Sequence, residues 1–537
     1  MKLAQWSGWA TVFAVLSAAD AGEVLSIDGP NGFANYGTSL AGAGDLDHDG
    51  TPDVVIGALQ AYPALQFPGG VFVHSGATGA VLRQWAGPHS GSSFGLAVDS
   101  GVDVNGDGTT DVLVGAPHYT QGALLNHGLV QLFSGANGGP LFSGAGESLG
   151  DVMGSAVAIV GDVDADGFVD LMGGAPLDDD FGGASGSIRI WSGSTGVSLL
   201  KVHGQVPFAQ YGNAISGAGD FNQDGFDDAL VGAWNQGSGS GFARVIDGTN
   251  GAPLKTWLGS AGDQQGYAVA RIGDVDGDGI ADLALGAPVA DANGVDSGVV
   301  LVCSGVGGAT LATIAGASAG DLFGWRIAGL DADSDGVGDV IALAVGPRQV
   351  RIHSGATGLT LQEISGSTAD VFGSGLAGVG DLDGDGYEDA AIGAPAADPG
   401  GVTDAGNVTV YSGCVAQQPY GDGCPGTQGK TPTIAFSVCP SVETATTFDI
   451  ADALGSAPGV MLIGMGQASI PAAGGCTLNI QTILFQVGVT MPASGALSIP
   501  FVIPASAAGV NVTFQALVAD GGVSQGFSAS RGLELQL

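Results

Sequence analysis

Seven acidic loops of one form, D-x-[DN]-x-D-G-x-x-D, recur along this chain at intervals of 50 to 59 residues. They run from Asp45 to Asp53, Asp103 to Asp111, Asp162 to Asp170, Asp220 to Asp228, Asp274 to Asp282, Asp331 to Asp339 and Asp381 to Asp389. A period of that length, held over seven copies, marks a repeat architecture in which each copy is one supersecondary unit stacked on its neighbours.

Each loop has the same surroundings. An aromatic-Gly pair comes before it at Tyr36-Gly37, Phe94-Gly95, Tyr211-Gly212, Phe323-Gly324 and Phe372-Gly373. The third copy has Met153-Gly154, and the fifth reads in reversed order as Gly266-Tyr267. After the loop comes an apolar run ending in Gly-Ala-Pro, complete at Gly115, Gly174, Gly286 and Gly393. The run is altered at Gly57-Ala58-Leu59, Gly232-Ala233-Trp234 and Val345-Gly346-Pro347. An alternating run such as Val71 to His74 follows and enters a turn of the type Ser75-Gly76. The 99 glycines, without a three-residue period, fit many short strands joined by tight turns rather than collagen.

Four short strands per copy, seven times over, predict an all-β fold: a seven-bladed β-propeller over residues 22–413. The seventh copy stops one strand short, after Asn407 to Tyr411. Glu23 to Asp28 resembles the outer strand of the other copies, so it is expected to complete the last blade and leave no open edge.

The aromatic-Gly pair, the acidic loop and the Gly-Ala-Pro together resemble FG-GAP repeats, as found in the head of integrin α subunits. The resemblance implies the propeller fold and calcium in the acidic loops. Integrin α subunits carry such loops in only some blades, whereas all seven copies have one here. No stretch of this sequence reads as integrin leg domains or a membrane span, so integrin signalling is not expected of it.

The loop chemistry agrees. Calcium takes six to eight oxygens, and on a tight loop positions 1, 3 and 5 turn inward, position 7 offers its carbonyl and position 9 closes the shell. The candidate ligands are therefore Asp45, Asp47, Asp49, Thr51 and Asp53; Asp103, Asn105, Asp107, Thr109 and Asp111; Asp162, Asp164, Asp166, Phe168 and Asp170; and Asp220, Asn222, Asp224, Phe226 and Asp228. The last three loops add Asp274, Asp276, Asp278, Ile280 and Asp282; Asp331, Asp333, Asp335, Val337 and Asp339; and Asp381, Asp383, Asp385, Tyr387 and Asp389. Asn105 and Asn222 bring less charge, so their sites are expected to be weaker. An EF-hand would need a Glu at position 12, where these loops carry Ile56, Val114, Gly173, Val231, Leu285, Ala342 and Ile392. Up to seven Ca2+ ions are thus expected. At ~1 mM calcium and ~10⁻⁴ M affinity each adds roughly 1.4 kcal/mol, about 10 for seven.

The charge supports this use of acid. Against 12 Lys+Arg stand 52 Asp+Glu, a net of −40, and the candidate ligand positions of the loops hold 26 of those acids. No basic face is available for nucleic acid. The start of the chain, with Lys2, the apolar Trp9 to Leu16 and the small Ala19 and Ala21, reads as a signal peptide over residues 1–21. No other stretch is long and apolar enough to span a membrane, so a secreted or cell-surface location is expected.

Catalytic patterns are weak. G-x-S-x-G occurs around Ser93, Ser148 and Ser524, without the strand-to-helix turn of a nucleophile elbow. His74 and His353 share a repeat position with Phe133, Trp191 and Cys303, which marks a packing slot. Beyond a Cys/Gly/Pro-rich linker at 414–432, alternating runs over 433–537 predict a small β-sandwich. The four late cysteines Cys414, Cys424, Cys439 and Cys476 allow three pairings, with Cys414–Cys424 and Cys439–Cys476 the simplest. The expected function is a non-enzymatic adhesion or binding module for an unidentified protein or glycan. The alternatives are a secreted carbohydrate-active or phosphodiester-cleaving enzyme on the same scaffold, and a structural envelope protein.

Overall fold

The computed structural model describes residues 23–413 except 31, 61–66 and 385, and beyond them the backbone of the strands between 418 and 536. Residues 1–21, Asp385, Ser524 and the four late cysteines lie outside the described residues.

Each blade is a four-stranded antiparallel sheet, and in blades 1 to 6 the strands follow in chain order. Blade 1 consists of Tyr36–Gly44, Asp53–Ala58, Gly70–His74 and Val81–Ala86. The first strand of each blade packs on the first strand of the next, and that of blade 7 (Leu376–Gly378) on that of blade 1, so the seven sheets form a closed ring. Blade 7 takes its outer strand from the chain start. Glu23–Asp28 pairs with Asn407–Tyr411, Ile27 opposite Val408, as the missing strand required.

Second strands such as Asp53–Ala58 and Asp111–Ala116 are buried at every residue. Each lies between two neighbouring blades and has no solvent face, which is why these segments read as continuous apolar runs. Outer strands such as Val81–Ala86 alternate in exposure.

The two glycine motifs meet across blade boundaries. A Cβ on Gly115, from Gly-Ala-Pro of blade 2, would lie 2.0 Å from the carbonyl oxygen of Gly154 of blade 3. The same clash would occur at Gly57 with Gly95, Gly174 with Gly212, Gly232 with Gly266, Gly286 with Gly324 and, across the closure, Gly393 with Gly37. Backbone therefore packs directly on backbone at six of the seven boundaries. Blade 6 puts Leu343 in the slot, against Gly373.

The register also alters one motif assignment. In blade 5 the buried aromatic slot is filled by Gln265, which bridges Gly241 as Phe94 bridges Gly69 and Tyr211 bridges Gly186. The pair is thus Gln265-Gly266 rather than a reversed Gly266-Tyr267, and Tyr267 is released to the channel wall.

After residue 413, the strands Gln418–Tyr420, Gly532–Gln536, Asn511–Ala519, Pro458–Pro471 and Thr477–Thr490 form one sheet, to which Phe527–Ala529 is added. Thr433–Phe436, Ala445–Ala451 and Leu497–Val502 form another. Gln418–Tyr420 falls inside the segment read as linker and pairs with Gly532–Gln536.

Candidate metal centres

Every acidic loop joins the innermost strand of its blade to the second strand, so all seven lie on one face of the ring. Position 2 anchors the loop by burying an apolar side chain, as with Leu46, Val104, Val163 and Phe221. Position 1 winds it. The Asp45 carboxylate accepts the N–H of Asp49 at 3.0 Å and of Gly50 at 2.9 Å. Positions 3 and 5 each accept the N–H two residues on, as Asp47 does from Asp49 and Asp49 from Thr51. The Asp162, Asp220 and Asp274 loops repeat this set.

Position 9 opens the second strand and is fully or almost fully buried in all seven loops. One oxygen accepts the N–H of position 2, as Asp170 does from Val163 at 2.9 Å; in the fourth loop the donor is Asn222. The other oxygen accepts the glycine N–H of the turn after the third strand. This second bond is made in every blade, to Gly76, Gly135, Gly193, Gly248, Gly305, Gly355 and Gly413. Position 9 therefore ties loop to turn.

Oxygens of positions 1, 3 and 9 come within 4.8 Å of one another in the Asp45, Asp162, Asp274 and Asp331 loops. Position 5 is not in those groups; its second oxygen faces the neighbouring turn, as Asp166 Oδ2 meets Ser194 Oγ. The position-7 residues contribute N–H donors, for example Phe168 to Asp166 and Val337 to Asp335.

Burial raises the position-9 carboxyls, to about 6 for Asp53, Asp111, Asp170 and Asp228 and to about 8 for Asp339, with neighbouring loop carboxylates adding to the rise. In the sixth loop Asp331 Oδ1 is buried with no partner. A set of oxygen donors alone, crowded, partly desolvated and with a buried oxygen to spare, suits a hard divalent cation and not zinc.

The FG-GAP repeat family matches residues 36–81, 94–127, 266–303 and 372–411. The chain carries FG-GAP repeats. Its propeller resembles those of integrin α subunits. Integrin alpha-V of Gallus gallus is 31% identical over 226 residues, 39% of this chain and 21% of that protein. Integrin alpha-X of Homo sapiens is 32% identical over 234 residues, and Integrin alpha-2 of Bos taurus 33% over 170. The matches span about a fifth or less of those relatives' lengths.

Within the FG-GAP frame the other chemical patterns lose their force. Ser93 Oγ lies 2.8 Å from His118 Nδ1 and Ser93 has a positive φ. The same slot has a positive φ at Asn35, Val152, Gln210, Gln264, Leu322 and Val371, so this backbone belongs to the repeat. No carboxylate orients His118 among the described residues. Asp178, Asp180 and His203 also cluster, but the Lys201 ammonium lies 3.1 Å from Asp180 and 3.5 Å from Asp178 and fills the group as an ion pair. His74 and His353 are buried, as a packing slot requires.

Sequence reading missed position 8. The Asp227 carboxylate of blade 4 accepts the Asp162 N–H of blade 3 at 2.8 Å, and Thr110 Oγ1 of blade 2 donates to the Ala43 carbonyl of blade 1. Laying the seven copies in register would have shown position 8 as the variable, side-chain-bearing site beside an invariant Asp.

Proposed function

We propose that this chain is a secreted or cell-surface, non-enzymatic binding module whose propeller is held by calcium. The observation that carries the reading is the position-9 aspartate, buried in every blade and, in the Asp45, Asp162, Asp274 and Asp331 loops, within 4.8 Å of two further carboxylates. Ca2+ would be held by the Asp and Asn side chains at positions 1, 3, 5 and 9 and the carbonyls at position 7, in up to seven loops. When bound it supplies positive charge that lets crowded carboxylates stay ionised. The protein's own part is to preset the loop by its internal N–H bonds.

The likeness to integrin α propellers supports a protein or glycan ligand on the face opposite the loops, an extracellular location and an adhesion role. Among the described residues no helix is long and apolar enough to cross a membrane. We further read 1–21 as a signal peptide, 22–413 as the propeller, 414–432 as a linker containing one short strand, and 433–537 as a β-sandwich made of the two C-terminal sheets.

Thermal unfolding with and without calcium, with stoichiometry by calorimetry, tests the metal reading. Near seven ions and a large rise in melting temperature support it. No bound ion and no shift would reduce the loops to turns. A ligand screen on the calcium-loaded protein tests the binding role; a turnover abolished by one point substitution would replace it with an enzyme.

A further inference from the structure

The seven innermost strands enclose a central channel, lined at the end away from the acidic loops by residues of all seven blades. Two residues after the glycine of each aromatic-Gly pair, one slot in that lining is kept small. It holds Ser39, Ala97, Ala156, Ala214, Ala268 and Gly375, and in blade 6 it holds Arg326. Six small residues leave open space opposite one guanidinium.

Arg326 is tethered but not neutralised. Its Nε donates to the Ser374 carbonyl at 3.2 Å and Nη1 to the Trp325 carbonyl at 3.4 Å. Nη2 makes no bond among the described residues, and the residue is exposed on the channel lining. The described lining at this end of the channel contains no Asp or Glu; Asp99, two residues beyond Ala97 on its strand, is engaged by the N–H groups of Ile159 at 2.8 Å and Ser100 at 2.9 Å, and the one ionisable group acting on Arg326 is the Tyr267 phenol. Arg83, Arg244, Lys255 and Arg348 are likewise held by carbonyls, a hydroxyl or rings rather than carboxylates, but of these cations Arg326 is the one on the lining at this end of the channel. The loop acids begin about six residues further along each strand, roughly 20 Å away at ~3.3 Å per residue. That exceeds the Debye length of ~8 Å in physiological salt, so they do not block an anion here.

The surroundings narrow the ligand. Tyr267, whose hydroxyl makes no bond among the described residues, packs on Trp325 with ring centroids 4.3 Å apart and on Trp234 at 5.8 Å. All three rings are partly exposed. Asn213 donates from Nδ2 to the Tyr267 carbonyl, and its Oδ1 is buried without a partner. A guanidinium, a run of aromatic faces and uncharged hydrogen-bonding groups make a surface for a hydroxylated ring that carries an acid.

We propose that the channel mouth at Arg326 binds the carboxylate of an acidic saccharide, with Tyr267 and Trp325 beside the sugar ring. This deepens the binding-module reading and rests on it.

The test is calorimetry of the calcium-loaded full chain with a glucuronate-terminated tetrasaccharide and its methyl ester. Wild-type protein should bind the acid, and esterification should weaken binding roughly ten- to a hundredfold, the range of a charge-assisted hydrogen bond. Arg326→Ala should do the same without moving the melting temperature, because alanine already fills this slot in blades 2 to 5. Arg326→Lys should restore part of the affinity. Equal binding of acid and ester, an unaffected Arg326→Ala, no binding of the tetrasaccharide, or tighter capture of a peptide C-terminus would overturn the proposal. A ligand found by screening that binds wild type and Arg326→Ala alike would remove the channel site and leave the binding module standing. A propeller that binds no ligand of any class would remove both.

Discussion

Glu388 Oε2, at position 8 of the blade 7 loop, accepts the backbone N–H of Asp331, position 1 of the blade 6 loop, at 2.8 Å. Asp227 makes the equivalent bond to Asp162 between blades 4 and 3. Through them a loop is held partly by the blade after it. The geometry of an acidic loop and the contact between two blades are therefore joined in one hydrogen bond.

Glu388→Ala removes a charged acceptor from the Asp331 N–H and should cost about 1.5–3 kcal/mol. It should also weaken ion binding at the blade 6 loop. Glu388→Gln keeps an acceptor oxygen and should recover most of the loss. Urea denaturation and calcium titration of both variants check this.

Positions 3 and 9 should separate in chelator. Asp170→Ala leaves the buried N–H groups of Val163 and Gly193 without an acceptor whether or not an ion is present. At roughly 1–3 kcal/mol for each orphaned group, the loss should persist in EDTA. Asp164 is exposed, so Asp164→Ala should matter with calcium and be nearly silent without it. Equal behaviour of the two variants in EDTA would contradict the tie described for position 9.

The pH profile should carry a mark from His353. Burial, and then the charge of Arg351, lower its pKa to about 4. Below ~6.5 the unfolded chain takes up a proton that the native state refuses until about 4. Stability is thus lost as pH falls from about 6.5 to 4, by up to about 3 kcal/mol for this group. His353→Phe, the residue blade 2 uses in this slot as Phe133, should remove that share. The stability difference between the two proteins should be flat above pH 7 and change steadily toward pH 4 in favour of the variant.

Gly393→Ala would drive a methyl group to 2.0 Å from the Gly37 carbonyl oxygen at the boundary where the ring closes. Overpacking against rigid backbone costs about 3 kcal/mol or more. Thermal unfolding should show a clear loss. Retention of wild-type stability would mean that the blade boundary yields more readily than the close glycine contact implies.

The repeat, its blade count and its closure were legible because each rests on local pattern: loop spacing, apolar runs and a seventh copy one strand short. The acidic loops were legible for the same reason, since positions 1 to 9 are near in sequence. What escaped depends on which residue of one blade faces which residue of the next. Gln265 in an aromatic slot, Leu343 in a glycine slot and Glu388 reaching the Asp331 loop need inter-blade register. Spacing within a blade does not carry that information. Arg326 was hidden differently: its oddity appears only when six other residues, scattered over more than 300 positions, are known to share its slot.

The pairing of Ile27 with Val408 sets an order of events. The strand synthesised ahead of all seven blades has no partner until Asn407–Tyr411 exists, some 380 residues later. Blades 1 to 6 can assemble as they emerge, but the first strand must wait with an open edge for the last. Sealing the ring is thus a late step that brings together distant parts of the chain, of the kind that slows folding. Until it occurs the molecule is a crescent with two exposed ends.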